Sequence, residues 1–258
     1  MFRGKMPTTA TPERVYALCK LVEKKPLPID DLKQLMEPDC ISSNKGEKYY
    51  NGYYQAATEL ELIDISDDIV SLKVDQCAVS NIDSMRKHAN FMLRRFQEGD
   101  FYRVTRAFFS LGKKTLELGH INDLARVIEK KVEGIDDVAM RAWRFWASFL
   151  GFGILHDMQV LPNAAGFISD AVASSGIEPG RVYTMSEFIG RVEDRLEITA
   201  LDIAERSFNY GLSCGLRTLH DIGSIKLEHI LDQEDIWTLD PLPGHPLDCT
   251  VTNITINR

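Results

Sequence analysis

The sequence predicts a mainly α-helical fold with small β-hairpins, spread over more than one domain. Three observations carry that prediction. Apolar residues recur at helical spacing along most of the chain, and short alternating segments around polar turns follow several of those stripes. The length, 258 residues, exceeds what one small module needs and is comfortable for two. With 44% hydrophobic and 26% charged residues, the composition is that of a globular chain and excludes disorder as a description of the whole.

The first helix is expected to start at Thr11-Pro12-Glu13, a hydroxyl followed by a proline in the first turn, where its missing N–H costs nothing. Val15, Leu18, Leu21 and Val22 then form its apolar stripe as far as Lys25. Pro26 and Pro28 end that helix and enforce a turn. Ile29, Leu32, Leu35 and Met36 mark a second, short helix that stops near Pro38, and a third is expected over residues 47–62. Ile63-Asp64-Ile65-Ser66 and Ile69 to Val74, alternating about Asp67-Asp68, read as a hairpin.

Three short helices and a hairpin in that order, from Thr11 to Val74, resemble the winged-helix DNA-binding superfamily. The resemblance rests on order and length rather than on a fixed motif. It implies that the third helix is the one that enters the major groove of DNA.

Residues 82–132 read as three helices, one with the stripe Met85, Ala89, Met92, Phe96, and Gly99, Gly112 and Gly119 punctuate them. The passage from helix end into hairpin then recurs. Val138 to Leu150 runs through Gly151 and Gly153 into Ile154-Leu155, a polar His156-Asp157, and Val160-Leu161. Leu212 to Ile222 runs through Gly223 into Ile225–Glu228, an acidic turn at Asp232 to Asp235, Ile236–Leu239 and finally Thr250–Ile256. These are read as degenerate repeats of the first unit. The expected organisation is tandem winged-helix-like domains joined by a helical segment. A winged helix covers 8–76, a basic helical connector 83–134, and a helical region ending in a winged-helix-like unit 135–258. Linkers are expected near 76–83 and 174–180.

Charge is distributed unevenly. The net charge of −8 argues against indiscriminate coating of nucleic acid. Between Asp83 and Lys114, however, eight basic residues (Arg86, Lys87, Arg94, Arg95, Arg103, Arg106, Lys113, Lys114) face three acidic ones. From Ser224 to Arg258 two basic residues face six acidic ones.

The third helix is the first candidate site. Lys48, Asn51, Gln55 and Thr58 form a polar stripe; Asn and Gln can read adenine edges, and Lys45 and Lys48 can neutralise phosphates. A solvated helix face fits the same pattern. Tyr50, Tyr53, Tyr54, Ala57 and Leu60 lie on the side expected to pack inward, though Tyr49, Tyr50, Tyr53 and Tyr54 also offer a second use of the same helix, as an interface with a protein partner. Arg94, Arg95, Lys113 and Lys114 are expected to track a phosphate backbone, or else to meet the protein's own acidic C-terminal region.

Other constellations are weaker. Gly211-Leu212-Ser213-Cys214-Gly215 spells a nucleophile elbow but follows no strand signal, so close helix packing is the expected role of its glycines. Asp232, Glu234 and Asp235 lack the spacing of a calcium loop and are read as a hairpin turn. Trp143, Trp146 and Phe149 read as core. The five cysteines and six histidines show no metal-ligand spacing, and no phosphate-binding glycine loop or dinucleotide fingerprint is present. No metal, cofactor, small-molecule substrate, catalytic residue or membrane contact is therefore expected. A first segment without an apolar run, and a longest apolar stretch of only Phe145 to Leu155, point to a cytoplasmic protein.

The functional expectation is a non-catalytic subunit that binds double-stranded DNA and also a protein partner or a second copy of itself. Such a role resembles that of winged-helix accessory subunits in bacterial chromosome-maintenance and anti-phage defence complexes. A dimeric winged-helix transcription regulator and a protein-only scaffold are the alternatives.

Overall fold

A computed structural model of the protein describes residues 1–38 and 46–257. Among these residues it is mainly α-helical with small β elements. The first six elements are α1 (Pro12–Lys24), β1 (Leu27–Pro28), α2 (Ile29–Met36), α3 (Gly46–Glu59), β2 (Ile63–Ser66) and β3 (Ile69–Leu72). Pro12 opens α1 as its position and fixed φ predict, and Val15, Leu18, Cys19 and Val22 are buried. The hairpin pairs Ile63 with Leu72 and Ser66 with Ile69. Asp67 and Asp68 both take left-handed φ, 51° and 60°, which a two-residue turn requires and aspartate tolerates. Strand β1 has no counterpart in the sequence reading, which made Pro26-Leu27-Pro28 a turn. Leu27 pairs with Val70, so the sheet runs β1-β3-β2 and Pro28 sits on an edge strand, where a missing N–H is harmless.

Along the rest of the chain follow α4 (Ile82–Met92), a 3₁₀ turn Leu93–Phe96, α5 (Asp100–Ser110), a 3₁₀ turn Gly112–Glu117, α6 (Ile121–Glu129), α7 (Asp137–Phe149), β4 (Gly153–His156) and β5 (Gln159–Pro162). Then come α8 (Ala165–Ala173), β6 (Val182–Thr184), α9 (Met185–Leu196), a 3₁₀ turn Glu197–Thr199, β7 (Ser207–Phe208) and α10 (Tyr210–Asp221). The chain closes with β8 (Ile225–Glu228), β9 (Trp237–Leu239), β10 (Thr250–Val251) and β11 (Asn253–Ile256).

The three helix-to-hairpin junctions are built from the same hydrogen bonds. At the end of α3 the N–H groups of Leu60, Glu61 and Leu62 donate to the carbonyls of Ala56, Thr58 and Ala57. Leu150, Gly151 and Phe152 do the same to Trp146, Ser148 and Ala147, and Ile222, Gly223 and Ser224 to Thr218, His220 and Leu219. The middle residue of each trio is left-handed, with φ of 55° at Glu61, 81° at Gly151 and 71° at Gly223, which is the helix stop that closes a bond five residues back. Each hairpin is then closed by one further bond. The N–H of Lys73, Asn163 and Asn257, the residue after the returning strand, donates to the carbonyl of Leu62, Phe152 and Ser224.

The first and third occurrences also share sheet order: β6-β11-β8 repeats β1-β3-β2, each with its first strand running directly into a helix. In the third, β9 and β10 are inserted between the hairpin strands. One expectation is corrected here. The acidic segment 232–235 does not join β8 to β9 as a hairpin, because β8 pairs with β11, and β9 lies between β10 and β7 in another sheet. Alternation marks strands but not their partners, and burial of Leu227, Ile254 and Ile256 favours the long-range pair.

Helices α5 and α6, placed by the sequence in the connector, lead into α7: α6 packs against both α5 and α7. Trp143 and Trp146 are fully buried, and Phe149 packs partly buried against the same core. Residues 1–10 run between α3 and the helices α5 and α7. Phe2 packs on Phe96, Phe101 and Trp146, its N–H donates to Glu59 Oε2, and the Trp146 indole N–H donates to the carbonyl of Ala10. No helix among the described residues is long and apolar enough to cross a membrane.

Candidate nucleic-acid interface

Helix α3 divides into three faces. Tyr50, Tyr53, Ala57 and Leu60 point into the core. Residues 7–10 cover a second face, and contact is so close that a Cβ at Gly52 would lie 2.4 Å from Thr9 Oγ1. Asn51, Gln55 and Thr58 are exposed on the third, as their spacing predicts. Gln55 donates to Glu59 Oε1 at 3.0 Å and Thr58 to the Tyr54 carbonyl at 3.0 Å, both bonds within the helix and able to yield to a ligand. Lys45 lies outside the described residues, and so does the side chain of Lys48.

The tyrosine face is smaller than the sequence suggests. Tyr50 and Tyr53 are 2% and 1% exposed and cannot meet a partner. Burial, and for Tyr53 also its hydrogen bond to Glu37, pushes both hydroxyls well above the ordinary tyrosine value. Tyr54 is half-buried, and burial together with the nearby Asp68 raises it too. Tyr49 alone is exposed, under the Arg14 guanidinium 5.6 Å from its ring. The hairpin beside α3 is acidic: Asp64, Asp67 and Asp68 are exposed, and so are Ile65 and Ile69.

Much of the basic segment is answered within the chain. Arg86 pairs with the buried Asp170 at 2.9 Å, Arg95 with Glu61 at 2.9 Å, Arg103 with Asp100 at 3.7 Å and Arg106 with Glu197 at 3.7 Å. Lys113 bridges Asp240 at 2.5 Å and the Pro241 carbonyl at 2.9 Å, so within the chain it meets the acidic C-terminal region. Lys113 and Lys114 lie on the Gly112–Glu117 turn, which packs against β5 and α10, whereas Arg95 reaches the C-terminal end of α3 through Glu61. Arg94 and Lys114 have no ion-pair partner among the described residues.

The nucleophile-elbow spelling falls inside α10. Ser213 is buried, donates to the Phe208 carbonyl at 3.0 Å and accepts from the Asp240 N–H at 2.8 Å. Burial raises the Cys214 thiol, which keeps it protonated and a poor nucleophile. Gly211 and Gly215 allow close approach, since a Cβ would lie 2.5 Å from the Phe109 ring and 2.7 Å from the Ala165 nitrogen, respectively. Among the described residues no group of histidine, cysteine, aspartate or glutamate side chains could hold a metal ion.

Sequence reasoning missed Arg3, Phe91 and Arg195. Arg3, Arg94 and Arg95 line an open groove of about 390 Å3 together with Phe96, Glu98 and Gly99. The available signal was Phe91, an aromatic residue off the buried stripe of α4, four residues after Lys87 and three before Arg94. The sequence matches no family model, and neither curated proteins nor solved structures provide a match.

Proposed function

We propose that this chain is a non-catalytic, DNA-contacting accessory subunit of a larger prokaryotic assembly, built from winged-helix-like units with α3 as its reading helix. The observation that carries the reading is the exposed stripe Asn51, Gln55 and Thr58. The corresponding helices of the other two units have no exposed residue between Ala139 and Phe149 or between Tyr210 and His220. Their faces are used in internal packing, and α3 is the third helix left to meet a ligand. Three helices and a hairpin, repeated with the same closing bonds, support the winged-helix resemblance. Asn51 and Gln55 suit bidentate contact with adenine in the major groove. The assembly role, as in chromosome-maintenance or anti-phage complexes, follows from that resemblance alone.

Duplex binding by the full chain across a salt series tests this reading. Asn51→Ala with Gln55→Ala is expected to weaken specific binding at least tenfold, since each bidentate base contact is worth about 1–3 kcal/mol. Equal binding by the variant would remove α3 as the reader. A protein-only scaffold is the second reading, favoured by the acidic hairpin: Asp64, Asp67 and Asp68 would repel phosphates where a wing should accept them. A wild-type chain that binds no duplex even at low salt would favour it.

A further inference from the structure

The cations of this chain do not share one fate. Many pair with carboxylates and others, such as Lys24, Lys131 and Arg191, stand singly, but Lys87, Arg94 and Arg195, which have no ion-pair partner among the described residues, gather around one aromatic side chain, with the likewise unpaired Arg3 in the groove next to Arg94. That side chain is Phe91, 44% exposed, with the Arg94 guanidinium 5.3 Å from its ring centre. On one side of Arg94 opens the groove of about 390 Å3 that Arg3 and Arg95 also line, where the Arg3 guanidinium lies 5.7 Å from the Phe96 ring. On the other side Phe91, Asn90 and Arg195 line two shallow depressions between α4 and the α8–α9 pair. The buried Oδ1 of Asn90 accepts no hydrogen bond there. Acids stand nearby as well, Glu98 in the groove, Glu61 on Arg95, Glu197 accepting from the groove-lining Gln97 and Asp194 by Arg195, while Asp170 is already neutralised by Arg86.

We propose that this surface binds single-stranded nucleic acid, with phosphates in the groove over Arg3 and Arg94 and an unpaired base against the exposed face of Phe91. The cations alone would suit any polyanion; the ring selects among them. An aromatic face beside guanidinium groups stacks planar bases and is indifferent to their sequence. A duplex keeps its base faces stacked inside, so only an unpaired strand can offer one to Phe91. The site lies at the C-terminal end of α3, through the Arg95–Glu61 pair, but does not depend on α3 reading a duplex.

Binding of the full chain to labelled oligothymidylate, an abasic oligonucleotide of the same length, and duplex tests the proposal. Phe91→Ala is expected to weaken oligothymidylate binding about tenfold, as loss of one stacked base does, and to leave abasic and duplex binding unchanged. Lys87→Glu with Arg94→Glu should weaken oligothymidylate and abasic binding and flatten their salt dependence. Asn51→Ala with Gln55→Ala should leave oligothymidylate binding as in the wild type, which separates this site from the α3 reading. Phe91 is exposed and off the core stripe, so its variant should retain the wild-type melting curve. Oligothymidylate binding that is absent at low salt or unaffected by Phe91→Ala would overturn the proposal. So would competition by polyglutamate as strong as that by oligothymidylate, which would point to an acidic peptide.

Discussion

Asp235 illustrates how one side chain changes meaning once its neighbours are known. In the sequence it belongs to an acidic run; in the fold it accepts from the Ser186 N–H at 2.8 Å and the Ser186 hydroxyl at 2.5 Å, in the first turn of α9. Burial pulls its carboxyl pKa upward, but the Ser186 hydroxyl and N–H bonds outweigh it, and the group titrates below its ordinary value of 3.8. A carboxylate at a helix N-terminus also meets the positive end of the helix dipole. Asp235→Ala is expected to cost about 1 kcal/mol at neutral pH, typical of a lost helix cap. Because the folded-state pKa is depressed, that stabilisation is full above 3.8 and is lost as pH falls through the folded value. Urea midpoints of wild type and variant should therefore converge as pH drops below 3.8. A constant gap would assign the effect to packing instead.

At the scale of elements, the repeated helix stop makes a prediction in which one motif yields three costs. Gly223 has φ 71° and nothing within 4 Å of an added Cβ, so Gly223→Ala meets only backbone strain, about 1 kcal/mol. Gly151 has φ 81° and its Cβ would lie 2.5 Å from the Phe167 nitrogen, so Gly151→Ala adds overpacking of about 1–3 kcal/mol to the same strain. Glu61 already holds the left-handed position at φ 55° as a non-glycine residue. Glu61→Gly relieves that strain while losing exposed pairs with Arg95 and Lys73 that contribute little, and should leave stability unchanged or raised. Thermal melts that rank the three otherwise would break the equivalence of the junctions.

The junctions were legible in the sequence because each marks a change from helical to alternating period, punctuated by a glycine at Gly151 and Gly223 though not at Glu61. Strand β1 was not, since a two-residue strand, Leu27 and Pro28, carries no period and gains strand character only from Val70 and Ile69 across the sheet. Pairing of β8 with β11 was equally hidden, being decided by burial far along the chain. The α3 stripe could be read from spacing alone. The cation groove could not, because Arg3, Phe91 and Arg195 converge only in the fold, and whether Arg95 or Lys113 is already paired is a tertiary fact.

Across the whole molecule, α1–α3 are tied to the later helices by buried contacts. Phe2 is fully buried with ring centres of Trp146, Phe101 and Phe96 at 4.9, 5.3 and 5.5 Å, and its N–H donates to Glu59 on α3. Asp170 on α8 holds Arg86 and Asn90 of α4 at 2.9 and 2.8 Å. These ties predict one cooperative unfolding transition for the wild type, with far-UV circular dichroism and tryptophan fluorescence coincident in urea. The probes see different parts: Trp143, Trp146 and Trp237 all lie beyond the first unit, whereas dichroism reports every helix. Phe2→Ala removes about 3–5 kcal/mol of packing where the first unit meets the second. The dichroism transition of that variant should then begin at lower urea than the fluorescence transition, as α1–α3 melt before the remainder. If the two curves instead shift together, the Asp170 network and the shared core suffice to hold the molecule as one block, and α3 presents its face on a rigid body.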